Sequence, residues 1–88
     1  MKISQKKKDK IIEQILYYLY ESFPNYPFTA EISREIARDE EFVKKILVEL
    51  NNKNIVTKIN KNLKGTIFSR KIRWKLSNKI YDFYHSKQ

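Results

Sequence analysis

The stretch Phe28-Thr-Ala-Glu-Ile-Ser-Arg-Glu-Ile-Ala-Arg-Asp-Glu-Glu-Phe-Val-Lys-Lys-Ile-Leu-Val-Glu-Leu-Asn-Asn-Lys-Asn-Ile-Val56 decides the fold of this chain. It holds two apolar rows at helical spacing with a break between them. Ile32 and Ile36 stand four apart, with the small residues Ser33 and Ala37 beside them. Thr29 predicts the cap of this first, short helix, Glu31 in its leading turn suits the helix dipole, and the helix ends near Arg38. Val43, Ile46, Leu47 and Leu50 then follow the i, i+3, i+4, i+7 pattern of a second helix face. Asp39 predicts its cap, Glu40 and Glu41 fill its leading turn, and the helix covers 39–52. Lys44, Lys45, Val48 and Glu49 are left facing outward. Asn51-Asn52-Lys53-Asn54 closes the helix, and Asn54 can take the left-handed conformation usually given to glycine.

Downstream the apolar period falls from 3.6 to 2. Ile55, Thr57 and Ile59 alternate with Val56, Lys58 and Asn60, and Ile72, Trp74 and Leu76 alternate with Lys71, Arg73 and Lys75. That pattern predicts two antiparallel strands with one face on the core and one in water. Trp74 is in phase with Ile72 and Leu76 and is expected in the core. Between the strands lies Lys61-Asn62-Leu63-Lys64-Gly65-Thr66, which contains the one Gly of the chain, a turn residue. Ser77 predicts the cap of a last helix reaching about His85, rich in aromatics through Tyr81, Phe83 and Tyr84.

Upstream, Phe23-Pro24-Asn25-Tyr26-Pro27-Phe28 must be a loop, because two prolines three apart cannot continue a helix. Before it, Asp9 predicts the cap of a helix running to about Ser22, with Ile12, Ile15, Leu16, Leu19 and Phe23 on one face. Ile11, Tyr17, Tyr18 and Tyr20 widen the apolar surface beyond one stripe. The surplus suits a second copy of the chain, so a homodimer joined through Tyr17, Tyr20, Phe83 and Tyr84 is expected. Residues 1–8 read as a basic flexible arm and residues 9–88 as a single domain.

Eighty-eight residues suffice for one small core, and 41% hydrophobic with 14% aromatic residues argue for a folded globule. The chain carries 19 basic and 10 acidic residues, net +9. The excess is segregated. Residues 1–10 hold five Lys and one Asp, residues 11–50 have four basic and eight acidic residues, and residues 51–88 have ten basic residues against Asp82 alone. A polyanion attracted to such a chain meets its start and its C-terminal half, and nucleic acid is the first candidate. Cys is absent, which excludes disulfides, thiolate metal sites and a Cys nucleophile. The longest apolar or aromatic run is Ile15 to Tyr20, far short of a membrane span, and the basic start lacks the apolar stretch of a signal peptide. A soluble, cytoplasmic protein is expected, with no membrane partner, no metal and no cofactor.

The stretch 28–56, followed by Arg70-Lys-Ile-Arg-Trp-Lys-Leu-Ser77, resembles a winged helix-turn-helix domain of the MarR/ArsR-like transcriptional regulators. The family has apolar residues where this chain has Ile32, Ile36, Val43, Leu47 and Leu50, and Gly-Leu-Val where it has Asn54-Ile55-Val56. The likeness covers about residues 9–85. It implies a mainly α fold, in which a three-helix core carries a two-stranded wing and a C-terminal helix. It implies further that helix 39–52 is the recognition helix, entering the major groove of double-stranded DNA with Glu40, Glu41, Lys44, Lys45 and Val48. The wing, about 58–73, would put Lys58, Lys61, Lys64, Arg70, Lys71 and Arg73 on phosphates or in the minor groove. Lys6, Lys7 and Lys8 of the arm would add to them.

Two features depart from the family pattern. Asp39-Glu40-Glu41 stands where Ser, Thr, Arg or Gln is usual, and Arg38 replaces an apolar turn residue. Three carboxylates together read as a capped, dipole-stabilised helix start facing phosphates that repel them. The acidic turn and the surface aromatics also suit a winged helix used as a protein-interaction module in transcription, replication or repair. A basic hairpin with Phe68 and Trp74 nearby suits RNA binding by stacking. Catalysis has little support. The chain has one His, His85, no H-E-x-x-H or G-x-S-x-G motif, and no phosphate-cradling glycine loop.

Overall fold

Three of the four described helices begin at a polar side chain, the one over Thr29–Ile36 being the exception. A computed structural model describes residues 4–59 and 72–87. Among them the order is α1 (Gln5–Ser22), α2 (Thr29–Ile36), α3 (Glu40–Asn52), β1 (Val56–Ile59), β2 (Arg73–Leu76) and α4 (Asn78–Ser86). Ser4 Oγ accepts from the Lys7 amide at 3.2 Å, Asp39 Oδ2 from the Phe42 amide at 3.1 Å, and Ser77 Oγ from the Ile80 amide at 3.3 Å. Each satisfies a donor that the first helical turn leaves without a partner.

The caps at Asp39 and Ser77 stand where the sequence put them. The first helix does not begin at Asp9: Ser4 caps it, and Lys6, Lys7 and Lys8 are helical rather than part of a flexible arm. Lysine is a good helix former, and the earlier cap lets the helix run on through it. α2 is also capped one residue early. Phe28 is its N-cap, with the Phe28 amide donating to Glu31 Oε1 at 2.8 Å, so Thr29 is the first helical residue instead.

The turn between α2 and α3 is made by Ala37 in the left-handed region, φ 57°, after which the Arg38 amide closes on the Ser33 carbonyl at 3.0 Å. A left-handed L-residue costs on the order of 1 kcal/mol, which the packing around the turn must offset. Asn54, φ 62°, makes the expected left-handed exit from α3.

The core gathers Ile11, Ile15 and Leu19 from α1, Ile32 from α2, Val43, Ile46, Leu47 and Leu50 from α3, and Val56, Ile72, Trp74 and Leu76 around the hairpin. On α1 the buried row is therefore turned from the expected face. Ile12 and Leu16 flank it, and Phe23, lying past the helix end, is 49% exposed.

The hairpin pairs Val56 with Leu76, Lys58 with Trp74 and Ile59 with Arg73. Val56 takes the inward place on β1, leaving Thr57 exposed. The Trp74 amide donates to the Pro27 carbonyl at 3.0 Å and Phe28 bridges to Arg73, so β2 lies between β1 and the loop before α2. Trp74 is fully buried, and its indole N–H donates to the Thr29 hydroxyl at 2.7 Å. A buried indole needs such a partner, and this one ties the hairpin to the start of α2.

α4 contributes no fully buried residue. Tyr20 of α1 meets Tyr81 and Tyr84 with ring centroids 5.3 and 5.5 Å apart, and Phe23 meets Tyr81 at 4.7 Å. Among the described residues no helix is long and apolar enough to cross a membrane.

Candidate nucleic-acid interface

The buried row of α3 fixes what its opposite side presents. Glu41, Lys45, Val48 and Asn52 form an exposed ridge at spacings of three and four. Glu40 is exposed at the helix start, while Lys44 is half-buried on one flank. Asn52 is absent from the sequence-derived set, although its position four residues after Val48 places it on the same ridge.

Each flank of the ridge is tied to another element. On one side Asn51 Oδ1 accepts from the Lys58 amide at 3.1 Å, which anchors β1 to the end of α3 and sets exposed Lys58 nearby. On the other, Lys8 Nζ lies 2.8 Å from Glu49 Oε1 and Lys53 Nζ lies 3.4 Å from Glu49 Oε2. The start of α1 is thus pinned against α3, with Lys6 and Lys7 exposed immediately before Lys8 in the same first turn. The hydrogen bond from Lys8 holds the Glu49 carboxyl below the usual carboxylate range, with Lys53 assisting. Both ion pairs found among the described residues converge on this one carboxylate.

Arg73 is placed differently from Lys58, the other expected wing cation among the described residues. Its guanidinium donates to the Tyr26 carbonyl at 2.6 Å and stacks on Phe28, 3.9 Å from the ring centroid. It therefore faces the loop before α2, on the opposite side of β2 from Trp74, and not α3. Lys75 on the same face stands 5.9 Å over the Tyr26 ring. Cation–aromatic attraction and a fixed carbonyl explain why this arginine folds back. The expected wing residues Lys61, Lys64, Arg70 and Lys71 lie outside the described residues.

Of the residues expected at a dimer interface, Tyr17 and Phe83 are 55% and 56% exposed. Tyr20 and Tyr84 instead turn toward each other within the chain. Burial, with Glu13 nearby, raises the Tyr84 phenol above its ordinary value. His85 stacks on Tyr81 with centroids 5.9 Å apart. Among the described residues no three His, Asp or Glu side chains gather as a metal site would require.

Solved structures share this architecture. The Zalpha domain from Carassius auratus PKZ, in complex with Z-DNA, matches with a TM-score of 0.62 at 20% identity, over 80% of this chain and 97% of that one. A point mutant of S. aureus MepR bound to an oligodeoxyribonucleotide matches with a TM-score of 0.64 at 19% identity, over 94% of this chain and 66% of that one. Wild-type ZitR from Lactococcus lactis in complex with DNA matches with a TM-score of 0.55 at 18% identity, over 84% of this chain and 52% of that one. The chain thus spans nearly the whole Zalpha domain but only about half to two thirds of the other two proteins. No family profile and no curated protein matches the sequence. The shared feature is the fold: this is a winged helix-turn-helix domain, mainly helical, with α2, the Ala37 turn and α3 as the helix-turn-helix and β1–β2 as the base of the wing.

Proposed function

We propose that this chain binds double-stranded DNA and acts as a transcriptional regulator, with the α3 ridge directed to the major groove. One observation carries the reading. The exposed ridge of a helix-turn-helix is bordered by cations on both sides, Lys8 and Lys53 along one flank and Lys58 along the other. Lys45 sits on the ridge between them. Cations spaced across a helix that fits the major groove suit the two phosphate backbones bounding that groove. The structural neighbours held with DNA support the same reading. The acidic turn at Glu40 and Glu41 shifts the productive contact toward the C-terminal half of α3.

Fluorescence anisotropy of a labelled 30-base-pair duplex across a salt series tests it. Micromolar binding that weakens steeply with salt is expected, with a log-log slope of about −0.9 per neutralised phosphate. Lys45→Ala with Lys58→Ala should lower the affinity and flatten that slope by about one to two. Stronger binding to single-stranded RNA than to duplex, or no binding at low salt, overturns the reading. A left-handed duplex belongs in the same experiment, because the Zalpha neighbour is held with Z-DNA.

The homodimer belongs to the same proposal, and helix ridges support it. The outer side of α1 carries Glu13, Tyr17 and Glu21, an aromatic between two carboxylates at four-residue spacing. One side of α4 and its C-cap carries Lys79, Phe83 and Lys87, an aromatic between two ammoniums at the same spacing. Reciprocal packing of α1 on the partner's α4 matches apolar to apolar and acid to base in a two-fold arrangement. Such a dimer presents two α3 helices to successive major grooves about 34 Å apart. Sedimentation should show a dimer for the native chain and a monomer for Phe83→Glu. An intact Phe83→Glu dimer means that the interface lies elsewhere.

A further inference from the structure

Glu49 is the one carboxylate, among the described residues, that forms ion pairs, and it forms two. It stands on α3 directly after Val48 of the exposed ridge, and its partners come from two different places. Lys8 reaches it from α1, forty-one positions away in sequence, and Lys53 from the close of α3 itself. The chain has nineteen basic residues to choose from and ten acidic ones. The pairing therefore falls where a polyanion is expected to dock, and nowhere else among the described residues.

All three side chains remain in reach of solvent, at 29% for Lys8, 39% for Glu49 and 62% for Lys53. Water-accessible pairs of this kind are weak and readily exchanged. A lysine ammonium is a compact charge that pairs with a phosphate oxygen as well as with a carboxylate oxygen. Two ammoniums held at 2.8 and 3.4 Å from one two-oxygen anion have the arrangement that a bridging phosphate would also satisfy.

We infer that Glu49 is a resident stand-in for a backbone phosphate, holding Lys8 and Lys53 in the free protein and ceding them to the nucleic acid when it docks. The inference rests on the DNA-binding reading and names its regulation. Glu49 keeps the two lysines oriented at the groove edge, and it weakens binding, because its own charge stays at the interface after the exchange. Non-specific affinity is thereby held down while the lysines remain in place.

The experiment compares the native chain, Glu49→Gln, Lys8→Ala and the double variant Lys8→Ala with Glu49→Gln. Binding to the 30-base-pair duplex is measured across a KCl series, and far-ultraviolet circular dichroism melts check folding. Glu49→Gln should tighten binding about three- to tenfold at about 0.1 M salt and steepen the salt slope by no more than about 0.9, because one repelling charge is gone while the same phosphates are neutralised. Adding Lys8→Ala should cancel most of that gain. A folded Glu49→Gln variant that binds duplex no more tightly than the native chain overturns the inference and leaves the DNA reading intact.

A second probe separates the two readings. Inorganic tripolyphosphate is titrated while the Lys8 and Lys53 side-chain resonances are followed by NMR. If no protein binds duplex but tripolyphosphate shifts both lysines more in Glu49→Gln than in the native chain, the DNA reading fails and the stand-in role holds. If tripolyphosphate moves neither lysine in either protein, the stand-in role fails whatever the duplex result.

Discussion

The two ends of α3 use their carboxylates in opposite ways. At the leading end Asp39 caps the Phe42 amide, and Glu40 and Glu41 lie exposed along the first turn, all three acting within one helix. At the trailing end Glu49 reaches outside the helix and holds α1. The first arrangement stabilises the helix through its own dipole and repels a phosphate. The second joins elements distant in sequence and gathers the cations that a phosphate would seek. A single helix is thus acidic where it starts and cation-bordered where it ends, which gives its exposed ridge a direction.

Breaking the row beneath both ends should have the largest effect. Leu47 is fully buried, and Leu47→Ala is expected to cost about 2–5 kcal/mol, a large share of the roughly 5–15 kcal/mol that holds a small domain together. Urea unfolding should remain a single transition with a lower midpoint. Two separated transitions would show instead that the ends of α3 fold independently.

Removing the Asp39 cap should cost less, about 1 kcal/mol, or a fall in melting temperature of about 4–8 °C for a chain of this size. Measured well below that temperature, duplex affinity of Asp39→Ala should rise, because a repelling charge is gone. A fall would mean that the leading end contacts the nucleic acid after all.

The smallest effect concerns pH and the trailing end. The Glu49 carboxyl is held below its ordinary value in the folded chain. The folded state therefore binds fewer protons there than the unfolded one. Its contribution is fully present above the unfolded carboxylate value of about 4.3 and fades as pH falls through the lower folded value. Melting temperatures of the native chain and Glu49→Gln should differ by a small, constant amount from pH 6 to 8 and converge in acid. A gap that widens in acid contradicts the pairing.

What the sequence disclosed about these regions follows the range of the interactions. The caps at Asp39 and Ser77, the α3 core row and the left-handed Asn54 are local, and each is legible from residues within two turns. The start of α1 is easily misread, because a run of lysines looks like an arm until the Ser4 cap is seen. Arg73 reads by its charge as a wing cation, and nothing in the sequence marks its hydrogen bond to the Tyr26 carbonyl, forty-seven positions away. Lys8 and Glu49 carry no mark in sequence of their meeting, since only the packing of α1 on the core brings them together. Lys53 and Asn52 escape notice because they lie in a segment that reads only as a helix stop.

The joint between Trp74 and Thr29 has an optical consequence. Trp74 is the chain's only tryptophan, and it is fully buried, away from the α3 ridge. All indole emission therefore originates at the seam between the hairpin and the helix-turn-helix. Its colour reports whether that seam is closed, so a change on adding nucleic acid signals movement of the wing base rather than contact with a base.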